Sequence, residues 1–234
     1  MKKIISFIFL SCFITCIYAQ TQQNKALFLK GNITDKTNAV RQASGEEAKW
    51  ITDQAINFVL ENKDFFGNDR DIESLALAAI LSISNDYTET LNSQQKTELL
   101  NNYLQLFNKF ESSSTVQIAV LSKISMLDKN CDLAPALEML NNFVSVKEPS
   151  STDSGVYKAV INALGQLGNN VSFTILYNAL NDYKYNSLFG DIEKAVVQLI
   201  PVSMNEVLQI THSKDLIQMS KILNLNCWPS RIAI

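Results

Sequence analysis

The segment SGVYKAVINALGQLGNNVSFTILYNALNDY, residues 154–183, decides the fold predicted for this chain. Apolar residues recur in it at spacings of three and four, which predicts two amphipathic helices. The helices meet at a turn that contains Gly165 and Gly168, where glycine gives the backbone the freedom that a sharp helix end requires. A single pair of this kind cannot bury both of its apolar faces, so it needs similar pairs beside it.

Such pairs recur along the chain at a period of about 40 residues. An Ala followed by Val or Ile marks the first helix of each pair, and successive dipeptides are separated by 40, 40, 40 and 36 residues. They begin at Ala39, Ala79, Ala119, Ala159 and Ala195. The pattern predicts an all-α chain in which about five helix pairs stack into a right-handed α-solenoid, each pair covering its neighbours' apolar faces.

The predicted helices alternate with polar turns. The expected pairs cover 34–43 with a partner that ends near residue 63, 71–84 with 94–110, 114–127 with 132–146, the two helices of 154–183, and 187–200 with a helix after Ser203. A final helix over 214–225 would cap the last open face. Ser44 with Glu47, and Ser203 with Glu206, have the spacing of a capping box, and Asp132 is expected to cap the helix that follows it.

The phrases AVINALGQLGNN and FTILYNAL, within residues 159–180, resemble the first helix, Leu-Gly turn and second helix of a HEAT-like repeat of the armadillo/HEAT superfamily. A period near 40 also suits that class better than the 33–34 residues of ankyrin or tetratricopeptide repeats. The resemblance implies that second helices line the concave side and that their exposed residues form the contact surface.

The N-terminus predicts export. Lys2 and Lys3 precede an apolar run over 4–17, and Ala19 offers a small residue before the polar Gln20, as in a cleaved secretory signal over residues 1–19. The alternative interpretation is a lipoprotein signal, in which Cys12 is lipidated. A polar leader over 20–32 then precedes a helical-repeat domain over 33–226, and residues 227–234 form a tail. The expected location is the periplasm or the extracellular space.

Net charge and cysteine content limit the ligands and the covalent links expected for the exported chain. Loss of Lys2 and Lys3 with the signal changes the formal net charge from -3 to -5, which gives no general reason to bind nucleic acid or anionic lipid. No later apolar run is long enough to cross a membrane. Cys131 and Cys227 remain after cleavage; buried thiols are the favoured interpretation, although export also permits a disulfide.

No reactive constellation is recognisable in the sequence. His212 is the only histidine, and no nucleophile elbow, phosphate-binding glycine motif or metal-ligand spacing accompanies it. The run Asn68-Asp69-Arg70-Asp71 places oxygen ligands close together, but helix capping by Asp69 or Asp71 is favoured over calcium binding. The sequence therefore predicts no catalytic, cofactor or metal site and no enzymatic activity.

The functional hypothesis is a scaffold of the cell envelope that binds an unidentified protein or peptide on a solenoid face. An aromatic cluster offers a speculative binding site, formed by Tyr177, Tyr183, Lys184 and Tyr185. A lyase-type enzyme related to HEAT-like proteins and a self-associating structural component of the envelope are the alternatives. Oligomeric state stays open.

Overall fold

The structure, a computed structural model, describes residues 23–127 and 131–212. Helices and turns account for all regular secondary structure in these residues, and they contain no strand. The all-α prediction is confirmed for this part of the chain. The predicted signal over 1–19, the final helix over 214–225 and the tail over 227–234 lie outside the described residues.

The helices follow one another through short connections. They are α1 over 23–30, α2 Ile33–Gln42, α3 Gly45–Phe66, α4 Arg70–Ser82, α5 Asn85–Glu89, α6 Ser93–Lys109, α7 Ser114–Ser125, α8 Ala134–Val146, α9 Ser154–Leu167, α10 Asn170–Ala179, α11 Phe189–Leu199 and α12 Met204–His212. Short 3-10 turns lie at Pro149–Ser151, Tyr183–Leu188 and Ile200–Val202. Most observed helix ends fall within three residues of the predicted ones.

Two segments are helical where none was predicted. The described part of the polar leader forms α1, and its Phe28 is buried edge-on against Trp50, with ring centroids 6.3 Å apart. The polar connector after α4 contains α5, which begins after Ser84. Both segments are too short to show a helical period in the sequence, so tertiary contacts decide their conformation.

Some helix caps are made by the predicted residues and others are not. Asn32 and Asn92 each form a complete capping box with the third residue of the helix that follows. Asp69 caps α4 by accepting from the Asp71 amide at 2.7 Å, as the capping interpretation predicted. Ser44 precedes α3 without a side-chain cap bond, because Gly45 has a φ of 60°, which no ordinary capping box contains.

Two further predicted caps also differ in detail. Asp132 lies one residue before the N-cap position of α8 and accepts from the Ala134 amide at 3.0 Å. The Ser203 hydroxyl is buried without a hydrogen-bond partner among the described residues, and the Glu206 carboxylate accepts from the Asn170 side chain at 2.8 Å. The predicted box at Ser203 is therefore wrong.

The chain divides into two compact units, with the boundary after Leu127. In the first unit, the first helices of the predicted pairs, α2, α4 and α7, contact one another in chain order. The second helices, α3 and α6, contact each other, and α3–α4 and α6–α7 contacts join the two layers. This order is the one that stacked helix pairs would have.

In the second unit the same order appears. The first helices α9 and α11 contact each other, the second helices α8 and α10 do so, and α8–α9 and α10–α11 contacts join the layers. A single right-handed solenoid over 33–226 remains a prediction.

The repeated dipeptides occupy the first helices of these layers. Their second members, Val40, Ile80, Val120, Val160 and Val196, are all buried. The small Ala beside each allows close approach of the neighbouring helix, and three of the five are buried as well. The 40-residue pattern thus marks the core positions of successive first helices.

Lysine side chains donate hydrogen bonds to backbone carbonyls at helix ends of the first unit. The Lys63 ammonium donates to the carbonyl of Gly67, where a φ of 56° ends α3. Lys123 in α7 donates to the carbonyl of Ile83, the residue after α4, at 2.5 Å, and burial lowers the pKa of Lys123. The carbonyls that a helix leaves unpaired at its C-terminus are thereby satisfied.

Candidate functional site

A polar cleft lies between α3 and α6 in the first unit. Its lining consists of Lys49, Asp53, Ile56 and Asn57 from α3, Gln95, Glu98, Leu99 and Asn102 from α6, and Tyr87 and Leu91 from α5 and the connector after it. Its volume is about 260 Å³. We call it the α3–α6 cleft. These are the second helices of two successive predicted pairs.

Helical periodicity brings the lining side chains of each helix onto one face. Counted from Lys49, those of α3 lie four, seven and eight positions further on; counted from Gln95, those of α6 lie three, four and seven positions further on. Ile56 and Leu99 are buried and belong to the apolar part of the lining, one from each helix. Beside them Asn57 is exposed and Asn102 is half-buried.

The charged centre of the cleft is Asp53. Its Oδ1 accepts a hydrogen bond from the Tyr87 hydroxyl at 3.0 Å, and the Lys49 ammonium lies 5.6 Å from the centre of the Tyr87 ring. Burial raises the pKa of Asp53, while the hydrogen bond from Tyr87 and the charge of Lys49 oppose that shift. The negative charge of this carboxylate is therefore poorly solvated by its surroundings.

The tyrosines near Asp53 act only as neutral groups. Burial and the Asp53 charge raise the pKa of Tyr87 far above its ordinary value, so its hydroxyl donates to Asp53 throughout the physiological range. Behind it on α6, the fully buried Tyr103 also has a raised pKa, because of burial and the nearby Tyr87. Its hydroxyl has no hydrogen-bond partner among the described residues.

A second cavity adjoins the α3–α6 cleft. It has a volume of about 430 Å³, and its lining includes Thr52, Ser82, Ile83 and Asp86. Lys49 and Tyr87 line both cavities, so these two side chains form the wall between them.

The sequence-predicted binding residues lie in the second unit and do not form one surface. Tyr177 is buried and stacked on Phe173, with the rings 6.0 Å apart, whereas Tyr183 is 85% exposed. Lys184 lies 3.4 Å from Glu148. The buried Tyr185 donates to the carbonyl of Val144 at 2.8 Å.

Of these residues, only Lys184 and Tyr185 line a cleft between the second helices of their unit. This α8–α10 cleft has a volume of about 220 Å³, and its lining also includes Ser145, Asn178 and Asp182. Because Tyr185 holds the end of α8 and Lys184 is paired with acidic neighbours, much of the cluster supports the fold.

The substitution Asp53→Asn is expected to stabilise the unliganded protein at pH 7. The folded-state pKa of Asp53 is raised, so the folded state binds more protons than the unfolded state between the ordinary value of 3.8 and the raised one, and stability falls as pH rises through that window. Asn keeps an acceptor for Tyr87 and removes the charge. The expected gain in urea-unfolding free energy is on the order of 0.5 kcal/mol at pH 7, disappearing below pH 3.8.

Asp86→Asn is the matched control, because Asp86 is exposed and lies outside the α3–α6 cleft. Its unfolding free energy at pH 7 should lie closer to that of the original chain than that of Asp53→Asn does. A loss of stability at pH 7 in Asp53→Asn would show that the carboxylate holds the fold together, contrary to the expectation.

The residues of the α3–α6 cleft were not singled out from the sequence, although a signal was present. The resemblance to HEAT-like repeats implies that exposed residues of second helices form the contact surface; Asn57 is such a residue, whereas Asn102 is half-buried. The sequence pattern does not show which helix face packs against which other face, because the residues that line the cleft are spread over more than fifty positions of the chain.

Within residues 23–127 and 131–212, no group of three or more His, Cys, Asp or Glu side chains is placed to hold a metal ion. The helices described in these ranges include none with the length and apolar character needed to cross a bilayer. Comparison of the chain with family models, curated proteins and solved structures found no match.

Proposed function

We propose that this protein is a non-catalytic binding module of the cell envelope, which holds a protein or peptide segment in the α3–α6 cleft. The observation that carries the proposal is the meeting of two accessible polar stripes, one from each of two adjacent second helices, around a partly buried carboxylate. Export rests on the N-terminal sequence pattern of residues 1–19.

The chemistry of the lining suits a polypeptide ligand. Asn57 and Asn102 carry carboxamides, each of which offers two N–H donors and an acceptor oxygen. Gln95 adds two N–H donors, while its oxygen accepts from the Asn92 amide. A peptide backbone presents the complementary alternation of N–H and C=O groups, so an extended segment can pair with several of them at once. The buried Ile56 and Leu99 give the cleft a rigid apolar base.

The arrangement of the helices also supports a binding surface. Stacked helix pairs present their second helices side by side, which produces an extended groove rather than an enclosed pocket. Within the second unit, α8 and α10 flank a cleft of their own, and Asn178 in its lining is exposed. The same kind of surface therefore recurs where the same helix order recurs.

The proposal is tested by capture of a partner with the chain from residue 20 onwards. Cross-linking in envelope extract should yield one partner in stoichiometric amount. The double substitution Asn57→Ala/Asn102→Ala should weaken the complex about tenfold, because it removes two carboxamides that each contribute roughly 0.5–1.5 kcal/mol. Affinity is measured by titration of the purified partner.

The matched control is Asn101→Ala/Asn108→Ala, which removes two exposed carboxamides of the same helix α6 that do not line the cleft. This control should bind as the original chain does. Equal binding by both double variants, or the absence of any stoichiometric partner, would contradict the proposal.

A further inference from the structure

The volume of the α3–α6 cleft limits what it can hold. At about 260 Å³ it is smaller than most sites for free small molecules, which measure roughly 300–1,000 Å³. A single long side chain of a larger ligand fits this volume better than a whole metabolite does. The inference that follows rests on the function proposed above and names the side chain.

The charges of the cleft favour a cation. Asp53 and Glu98 carry two negative charges against the single positive charge of Lys49. An ionised carboxylate can accept about four hydrogen bonds, and Tyr87 supplies one of them to Asp53. A cationic group would add hydrogen bonds and compensate a charge that burial leaves poorly solvated.

The distribution of acceptors favours a guanidinium over an ammonium. Guanidinium is planar and presents five N–H donors in a fixed fork, whereas an ammonium is a compact point charge. The acceptors around the cleft come from both helices: the carboxylates of Asp53 and Glu98 and the carboxamide oxygens of Asn57 and Asn102. Five directed donors can reach several of these oxygens together.

The aromatic ring at the site already accepts a cation. Lys49 lies 5.6 Å from the ring centre of Tyr87, within the range of a cation–π contact. Guanidinium stacks on such rings more readily than ammonium does, because it is planar and more weakly hydrated.

We propose that the α3–α6 cleft receives an arginine side chain of the bound peptide, with its guanidinium against the Asp53 carboxylate and the face of the Tyr87 ring. Asn57 and Asn102 position the flanking backbone. Lys49 opposes the incoming charge and so sets an upper limit on affinity.

The probes for the test are N-acetylarginine amide and N-acetylcitrulline amide, which have nearly the same shape and differ in charge. Each is titrated into the isotope-labelled chain, and binding is followed through the side-chain amide signals of Asn57 and Asn102. The arginine probe should bind about tenfold more tightly than the citrulline probe, as expected for hydrogen bonds to a charged group. N-acetyllysine amide should fall between the two.

Two substitutions give opposite expected results. Asp53→Asn should abolish the preference for arginine over citrulline, whereas the control Asp86→Asn should keep it. Lys49→Met should tighten binding of the arginine probe by several-fold, because it removes a like charge, and a merely structural role of Lys49 would not produce that gain.

Equal binding of the two probes, or an unchanged preference in Asp53→Asn, would overturn the arginine assignment. If the captured partner still depends on Asn57 and Asn102 in that case, the proposed function survives and only the identity of the side chain is wrong. If Asn57→Ala/Asn102→Ala leaves the partner bound, the proposed function itself fails.

Discussion

Gly165→Val is expected to unfold the second unit under conditions in which the original chain is folded. A Cβ at Gly165 would lie 2.5 Å from Gln198 Oε1, 2.9 Å from Ala195 Cβ and 3.0 Å from Ala195 Cα. Gln198 can move aside, but the Ala195 backbone can do so only if α9 and α11 separate. Overpacking of this kind costs about 3 kcal/mol or more once the valine methyls are added. Urea unfolding followed by circular dichroism measures the loss.

Gly190→Ala is the matched control for this substitution. Gly190 lies in α11, and a Cβ there would meet no atom within 4 Å. Alanine favours a helix over glycine by about 1 kcal/mol, so this variant should be as stable as the original or slightly more stable. A Gly165→Val protein with the same urea midpoint as the original would show that α9 and α11 do not pack as closely as described.

A second large loss of stability is expected when the hydroxyls of two tyrosines that hydrogen-bond the C-terminus of α8 are removed. Val144 belongs to the last turn, where carbonyls lack helical partners, and its oxygen accepts from Tyr157 at 3.2 Å and from Tyr185 at 2.8 Å. The Lys147 carbonyl lies 3.0 Å from the same Tyr157 hydroxyl and shares its single proton with the Val144 carbonyl. Tyr157→Phe and Tyr185→Phe should each cost about 1 kcal/mol.

The double substitution Tyr157→Phe/Tyr185→Phe should cost more than the sum of the single ones, about 3 kcal/mol, because the buried Val144 carbonyl then loses both donors. A double-mutant cycle from urea unfolding measures this coupling. Tyr183→Phe is the control and should be neutral, since Tyr183 is 85% exposed. Strictly additive losses would mean that the two hydroxyls act independently.

These two expectations depend on residues whose importance was only partly visible in the sequence. The sequence predicts Gly165 to lie in a helix-ending turn, yet α9 continues to Leu167, and the lack of a side chain at Gly165 allows the close approach of α11 instead. The preference of tyrosine for interfaces places Tyr185 on a binding surface, but its hydroxyl donates to the carbonyl at a helix end.

The candidate site illustrates a related limit. The carboxamides of Asn57 and Asn102 lie on stripes that a periodic pattern can identify, but a stripe does not reveal which other stripe it faces. The role of Tyr87 is harder still to predict from the sequence, because Tyr87 belongs to the five-residue helix α5, in a segment where the sequence predicts only a polar connector.

The sequence by itself determined the elements with long amphipathic periods: most of the helices, and the buried Val or Ile that recurs about every 40 residues in five of them. Those features follow from local periodicity, which each segment carries on its own. Only the tertiary structure decided the division after Leu127, the capping partners, the fold of α1 and α5, and the meeting of Asp53, Tyr87 and Asn102 in one cleft. They depend on contacts between positions far apart in the chain, which no single stretch of sequence specifies.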